Sequence, residues 1–344
     1  MTRPPRHFSL QFVSFRLYIT KRNESLPERG LFMRHIFIIN PHAGKKDQTG
    51  RIYEMADRLR QRHGLDCQCL LTQRPGGAEE MARRLAESSE AVRIYACGGD
   101  GTVSEAANGM AGFPNAAMTC IPTGTGNDFL KNFGPDAAKF SDAENLWDGE
   151  VHPLDLIDCN GRLCLTIACS GIDARVAESV HELGNSPLLS GRGSYLAAVA
   201  VNFLFRGIGQ HWTVTLDDEV IEDDFALVSM CNGRYYGGGF MPIADARMDD
   251  GRLDTLIVRR VSRAKFLRLA PAYARGEAWR FPDAVRRVQT NSVRIQSREP
   301  LALSLDGEIQ YKTDVQMTLS AKKLHFFAPV GASCNRTARR RLDK

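Results

Sequence analysis

Long apolar runs are missing from this chain of 344 residues. The longest, Leu196 to Phe205, is interrupted by Asn202 and falls far short of the roughly 20 residues that a bilayer-spanning helix needs. Paired cysteine spacings are missing as well. Nine cysteines include no CxxC, and most, such as Cys97, Cys120, Cys164 and Cys169, sit in apolar runs as small core residues. That excludes a zinc-finger or disulfide framework and fits a reducing compartment. There is no GxxxxGK[ST] loop, no HRD or DFG and no GxSxG elbow, so P-loop NTPases, protein kinases and α/β-hydrolases are excluded. Eight histidines show no ligand spacing. Concentrated charge is absent from the body of the chain. Residues 1–32 and 331–344 carry +4 each, which leaves −3 for everything between them in a chain of net charge +5. A mildly acidic body is the wrong material for a nucleic-acid surface, which needs a basic stripe. Phe8 to Ile19 follows basic residues, but Gln11 and Arg16 interrupt it and no small-residue cleavage site follows, so it is not read as a signal peptide. Residues 1–32 are read as a disordered extension ahead of a first strand that opens after Met33.

Glycine is present at three strand ends. Val92 to Cys97 is an apolar, strand-forming run of the kind a central parallel strand shows. It leads into Gly98-Gly99-Asp100-Gly101-Thr102 and then a helix-like segment, Val103 to Met110. Such a junction brings amide N–H groups and the positive end of a helix dipole to one point, a ready phosphate site. Asp100 would repel phosphate, so its natural work is to hold Mg²⁺ or to orient an attacking hydroxyl. A tight turn with a solvated aspartate would explain a lone GGDG equally well. Two further junctions alter that balance. Ala116 to Cys120 leads to Pro122-Thr123-Gly124-Thr125-Gly126-Asn127-Asp128, and Ile36 to Ile39 leads to Asn40-Pro41-His42-Ala43-Gly44. Three such loops on the carboxyl edge of one sheet describe a nucleotide cleft.

Residues 33–153 alternate strand and helix patterns. Ile52, Met55, Ala56 and Leu59 mark a helix over Gly50–Arg62; Leu65–Thr72 reads as a strand and Ala78–Ser88 as a second helix. This alternation predicts an α/β domain with a mainly parallel sheet and helices on both faces. Residues 154–317 read differently. Leu154–Cys159 and Arg162–Ala168 flank an Asn160-Gly161 hairpin turn. Strands at His211–Leu216, Phe225–Cys231, Leu253–Arg260, Val293–Gln296 and Leu301–Leu305 predict an antiparallel β-sandwich or open barrel. Helical interludes fall at Ser194–Phe205 and Arg263–Arg275. Val315–Leu319 and Leu324–Ala328 close the fold ahead of a basic tail, residues 331–344.

Asn40-Pro41 to Gly44, the Gly98–Thr102 turn, Pro122 to Asp128, Leu154-Asp155, Gly237-Gly238-Gly239, Asp249-Asp250-Gly251-Arg252-Leu253-Asp254 and Asp306-Gly307-Glu308, in that order, resemble the diacylglycerol kinase catalytic-domain family of lipid kinases. That family includes the sphingosine kinases and is distantly related to NAD kinases. The resemblance spans about residues 33 to 330. GGDGT alone also looks like NAD kinases and phosphofructokinases; GTGND in register with a late DGE is the specific part. The resemblance implies an NAD-kinase-like first domain, to which residues of about 318–330 return, ATP as phosphoryl donor, Mg²⁺, and a lipid hydroxyl as acceptor. It places the protein in the cytoplasm, peripheral to the membrane, and leaves a homodimer open.

The nucleotide contacts it implies are Asn40, Pro41, His42, Ala43, Gly44, Thr72, Gly98, Gly99, Asp100, Gly101, Thr102, Val103, Ser104, Glu105, Gly124, Thr125, Asn127 and Asp128. Glu308 is the implied proton acceptor, with Asp306 as runner-up and Asp100 as the third acidic group. Asp-Gly is in itself a common hairpin turn. A structural Mg²⁺ is implied at the Asp250 side chain with backbone oxygens of Arg247 and Arg252. The Tyr195–Phe205 segment would line a lipid cleft or pack in the core.

Two rival readings stand beside this one. An NAD-kinase-like enzyme is disfavoured by GTGND and DGE. A non-catalytic nucleotide or lipid sensor is disfavoured by Asp100 and Glu308, which binding alone does not need. Diacylglycerol, sphingoid bases, phosphatidylglycerol and polyprenols all offer a hydroxyl on a greasy body, and the sequence favours none of them. A chain beginning at Met33 is expected to keep the thermal midpoint and ATP turnover of the full chain. Loss of its calorimetric unfolding transition would make residues 1–32 part of the core.

Overall fold

The computed structural model describes residues 33–172, 174, 175 and 208–334. The expectations for residues 1–32, the Ser194–Phe205 helix and most of the basic tail lie outside the described residues.

Four strands, β1 (Arg34–Ile39), β2 (Asp66–Leu71), β3 (Val92–Gly98) and β4 (Ala116–Pro122), pair in parallel in the order β2-β1-β3-β4. Helices α1 (Thr49–His63), α2 (Gly77–Ala86) and α3 (Asp100–Met110) alternate with them. Helix α1 forms because its buried residues Ile52, Met55, Ala56 and Leu59 recur on one face. It ends at Gly64, whose φ of 67° suits a residue without Cβ. Strands β1 and β3 are buried along most of their length, as central strands of a covered parallel sheet are. Phe37 stacks on Tyr95 at 4.3 Å, and Phe327 meets Tyr95 edge-on at 5.2 Å.

Phe327 comes from the far end of the chain. A one-turn helix, α4 (Asp128–Lys131), follows β4, and β5 (Glu150–Leu154) then forms the edge of the first sheet. After β5 the chain leaves this sheet for a second one and later returns. The nine-stranded second sheet holds β6 (Ile157–Cys159), β7 (Arg162–Cys164), β8 (Ile167–Gly171), β9 (Gln210–Leu216), β10 (Glu219–Cys231), β11 (Asp254–Arg259), β12 (Val285–Gln289), β13 (Ser292–Leu305) and β14 (Glu308–Leu319). Helix α5 (Arg263–Tyr273) lies between β11 and β12. The returning strand, β15 (Leu324–Ala328), runs parallel to β4 and antiparallel to β5.

Strands β10 and β13 fold the second sheet over on itself. Residues Glu219–Phe225 of β10 pair with β9, and Leu227–Cys231 pair with β8. Strand β13 pairs with β9 over Val293–Gln296 and with β8 over Leu303–Leu305. Register shifts at Phe225/Leu227 and Gln296/Leu301 mark where each strand bends. Such irregularities let one strand serve two layers. Trp212, Phe225, Val293, Leu303 and Met317 are buried together in the core of the resulting sandwich.

The fold is therefore a mainly parallel α/β layer followed by an antiparallel β-sandwich, with local corrections. The sequence reads Leu154–Cys159 as one hairpin arm, whereas the structure divides it at buried Asp155 between β5 of the first sheet and β6 of the second. Arg162–Ala168 likewise divides into β7 and β8. The stretches Val293–Gln296 and Leu301–Leu305 are one strand, because Ser297-Arg298-Glu299-Pro300 is a bend within it rather than a turn. Strand β12 and the first half of β10 carry too many exposed charged residues to read as strands. Among the described residues no helix is long and apolar enough to cross a membrane.

Asp155 holds the crossing between the sheets. Its carboxylate pairs with the Lys323 ammonium, just before β15, and accepts the Gly251 N–H at 2.8 Å. Its own N–H donates to the Met248 carbonyl at 2.6 Å, and its carbonyl accepts from Asn232 Nδ2 at 2.7 Å. Asp155→Ala is expected to cost on the order of 2 kcal/mol in urea unfolding. That is less than for a fully buried pair, because the Lys323 side chain keeps 42% of its surface in water. An unchanged midpoint would show that the crossing is held elsewhere.

Candidate active site

The four parallel strands end level. Register pairs Ile39 with both Leu71 and Cys97, and Gly98 with Pro122. The segments Asn40–Gly44, Thr72, Gly98–Glu105 and Gly124–Asp128 therefore emerge on one edge, and they touch one another. A Cβ on Gly44 would overlap the carbonyl oxygen of Thr123, and one on Gly124 would overlap Cα of Gly99. Glycine is needed here for contact distance between backbones. The N–H groups of Thr123 and Gly124 both donate to the Gly98 carbonyl, at 3.0 and 3.2 Å. Asn40 Nδ2 donates to Thr102 Oγ1 at 3.1 Å, while its Oδ1 accepts the His42 N–H at 3.0 Å. Buried Thr72 is fixed through its N–H to the Ile39 carbonyl at 2.8 Å.

Some of the sequence-derived residues serve the scaffold. Val103 and Ser104 are buried in the first turn of α3. The Glu105 carboxylate accepts the N–H groups of Gly76 and Ala78, at 2.9 and 3.1 Å, and so caps α2. Arg247, Asp250 and Arg252 stand apart from the cleft described next. Asp250 is exposed, its Oδ1 accepting the Arg252 N–H at 3.1 Å in the loop that Gly251 anchors to Asp155.

A narrow cleft of about 30 Å³ lies at the start of α3, lined by Asp100, Asp128, Thr166, Tyr236, Gly237 and Asp306 among others. Its walls come from both sheets. Asp100 opens α3, and its Oδ1 accepts the Phe129 N–H at 3.1 Å. Burial pushes the Asp100 pKa up; the Phe129 N–H opposes the shift, and the charges of Asp128 and Asp306 add to it. Asp128 pairs with Lys131 and accepts the Gly238 N–H at 2.7 Å, which sets the triple-glycine loop at the rim.

Asp306 and Gly307, at φ 49° and 98°, form the two-residue turn that joins β13 to β14. The Asp306 carboxylate accepts the N–H groups of Leu165, Thr166 and Ile167, at 2.6, 2.9 and 3.2 Å, and the Thr166 hydroxyl. It fastens the hairpin to the β7–β8 junction. Glu308 is met by Arg162 at 3.5 Å, with 41% of its side chain exposed. Burial raises its pKa, Arg162 opposes, and Glu105 and Asp306 push it further up.

Sequence reasoning missed Arg162 and Asn108. Arg162 pairs with Glu79 on α2 as well as Glu308, partners 83 and 146 residues away, a separation that leaves no local signal. Asn108 binds Leu163 as a strand neighbour would: its Nδ2 donates to the carbonyl at 2.8 Å and its Oδ1 accepts the N–H at 2.9 Å. The available signal was an asparagine inside a helix, where that residue type is a poor former.

A larger hollow, about 660 Å³, runs along Asp223, Asp224, Arg259 and Arg260. Its charges satisfy one another, Arg259 with Asp223 at 3.1 Å and Arg260 with Asp224 at 3.0 Å. None of the sequence-derived site residues borders it, so the smaller cleft is the candidate.

Residues 34–159 match the family model of the diacylglycerol kinase catalytic domain, and residues 166–328 match that of the YegS C-terminal NAD kinase beta sandwich-like domain. The chain belongs to the diacylglycerol kinase catalytic-domain family. Among curated relatives, the diacylglycerol kinase of Bacillus subtilis is 27% identical over 278 residues, covering 79% of this chain and 88% of that protein. A Pseudomonas aeruginosa protein named as a probable YegS-like lipid kinase is 28% identical over 261 residues, covering 73% and 82%. A solved Bacillus anthracis structure, provisionally described as a diacylglycerol kinase, superposes with a TM-score of 0.69 over 88% of this chain and 99% of that one; at 24% identity the likeness is one of fold. The stretch between the two matched segments, residues 160–165, contains Arg162 and leads into the junction that Asp306 clamps.

Asp306→Asn is nearly isosteric but turns an acceptor into an NH₂ group facing amide donors. It is expected to cost about 2 kcal/mol in urea unfolding. A midpoint equal to wild type would show that the turn is held by strand pairing alone.

Proposed function

We propose that this member of the lipid kinase family transfers the γ-phosphoryl group of ATP to the hydroxyl of a diacylglycerol-like lipid. One observation carries the reading: Asp100 and Asp128, which adjoin the touching glycine loops of the first sheet, share one cleft with Asp306 of a hairpin from the second. Phosphoryl transfer asks the protein mainly for positioning and charge stabilisation. Backbone N–H groups of the glycine loops and the α3 N-terminus face the nucleotide phosphates. Glu308 takes the proton of the acceptor hydroxyl as its oxygen bonds to the γ-phosphorus and the bond to ADP breaks. Asp306 serves as the clamp that sets the hairpin at this depth, since its oxygens are already engaged by four donors.

Mg²⁺ would neutralise charge on the transferring phosphates. Among the described residues no three His, Cys, Asp or Glu side chains converge as a metal site. An ion that arrives with the nucleotide would meet one or two carboxylates of the protein, and Asp100, at the start of α3 in the cleft, is our candidate. The residues around Asp250 suit a second, structural ion held by the Asp250 carboxylate with the carbonyls of Arg247 and Arg252. Burial raises the pKa of neighbouring Asp254; Arg287 opposes, and the charges of Asp245 and Asp250 add to the rise, so a cation there would relieve repulsion.

Radiolabelled ATP with a mixed lipid extract, followed by identification of the labelled product, tests the activity and names the acceptor. Absence of any labelled lipid, with the protein folded, would overturn it. Glu308→Gln should lower kcat about 10²- to 10⁴-fold with nucleotide affinity little changed, and near-normal turnover would remove Glu308 from the role. A base works only when ionised, so turnover should be present at neutral pH and lost as pH falls through the raised Glu308 pKa. Arg162→Ala withdraws the positive charge that opposes that rise. The acid limb of its pH–rate profile should therefore lie at higher pH than in wild type; an unmoved limb would mean that another group titrates.

A further inference from the structure

Two of the largest apolar side chains of the second half of the chain are turned to water. Trp279 is 74% exposed and Leu267 is 61% exposed. Leu267 lies on α5, which buries Phe266, Leu269, Ala272 and Tyr273 against the sandwich. By helical periodicity Leu267 and Pro271 then crest the opposite face. Trp279 follows on the 3₁₀ turn Ala278–Arg280, which is tied to α5 through the Glu277 N–H and the Ala272 carbonyl at 2.8 Å. Exposed Arg268, Arg275 and Arg280 flank these apolar tips.

The charge of this segment runs against that of the body. Residues 263–283 hold five Lys/Arg and two Asp/Glu, a net +3, in a body of net −3; the rest of the body is therefore −6. An exposed tryptophan and leucine, flanked by arginines, have the composition of a surface that lies in a lipid interface. The indole sits at headgroup level, and the arginines reach the lipid phosphates with their stems along the apolar boundary.

The inner face of α5 also reaches the lining of the candidate cleft. Tyr273, at the end of α5, places its hydroxyl 3.0 Å from that of Tyr236, which lines the cleft. The Met241 N–H, just past the triple-glycine loop, donates to the Ala274 carbonyl at 3.1 Å. Helix α5 is thus braced to the rim through which an acceptor would enter.

We propose that the outer face of α5 and the following turn, centred on Leu267 and Trp279, is the surface by which this protein docks on anionic lipid bilayers. The cleft rim then lies beside the membrane. The purpose of the docking rests on the lipid-kinase reading; the docking itself is measured without it.

The test uses the full chain with vesicles of phosphatidylcholine alone and of phosphatidylcholine mixed with phosphatidylglycerol. Wild type should sediment with the anionic vesicles and be released by salt. Its tryptophan emission should shift to the blue, because Trp279 is far more exposed than buried Trp212 and partly buried Trp147. Trp279→Phe should abolish most of that shift. Trp279→Ala and Leu267→Ser should each weaken partitioning by roughly 10-fold, from the apolar area withdrawn. Each of Arg268→Gln and Arg275→Gln should weaken it by about 5-fold. Phosphorylation of a short-chain, water-soluble acceptor should be unaffected in these variants, while that of a vesicle-embedded acceptor falls.

Equal vesicle binding by wild type and variants overturns the proposal. So does a wild-type dimer that Trp279→Ala converts to a monomer, because the crest would then join two copies of the chain. Vesicle binding that depends on these residues, without phosphorylation of any lipid, would uphold the surface and sink the kinase reading.

Discussion

The ion pair of buried Asp155 with part-exposed Lys323 is the constraint on which the arrangement of the two sheets depends. Asp155 lies one residue after β5, where the chain leaves the first sheet, and Lys323 lies one residue before β15, where it returns. A single pair of charges therefore ties both crossings together. A buried carboxylate without partners would be strongly unfavourable, so every structure that keeps Asp155 inside must bring residues 323 and 251 to it. The same carboxylate draws in the acidic loop through the Gly251 N–H. The edge of the first sheet, the entry to the sandwich and the candidate ion loop are set by one residue.

With the sheets held in this way, the cleft is shaped by two opposed demands. The glycine loops must touch, and the absence of Cβ at Gly44 and Gly124 allows it. The carboxylates of Asp100, Asp128 and Asp306 line one small space, and burial raises the pKa of Asp100, with the charges of Asp128 and Asp306 adding to the rise. Backbone N–H groups hold each of the three in place: Phe129 for Asp100, Gly238 for Asp128, and the β7–β8 junction for Asp306.

Local patterns carried much of this into the sequence. The apolar period of α1, the β3–turn–α3 junction and the Asn160-Gly161 hairpin were all legible, because each depends on residues within a few positions of one another. Strand β12 and the first half of β10 were not, since their exposed charges mask alternation. Nor was the bend in β13, where a polar stretch continues the strand. The misplaced hairpin arm at Leu154 shows the general reason: six residues of good strand pattern were split between two sheets by the burial of one aspartate.

For the site, the sequence by itself determined which chemistry was available: three glycine loops after parallel strands, an aspartate at a helix start, and a late Asp-Gly-Glu. It did not determine which carboxylate is engaged by backbone donors and which is left part-exposed beside one arginine. Asp306 and Glu308 sit in the same turn motif, and only the tertiary structure surrounds the first with donors from residues 165–167 while leaving the second beside Arg162. Residue type and spacing fix what a side chain can do. Its role depends on which groups the fold brings within hydrogen-bond distance, and those groups lie some 140 residues away along the chain.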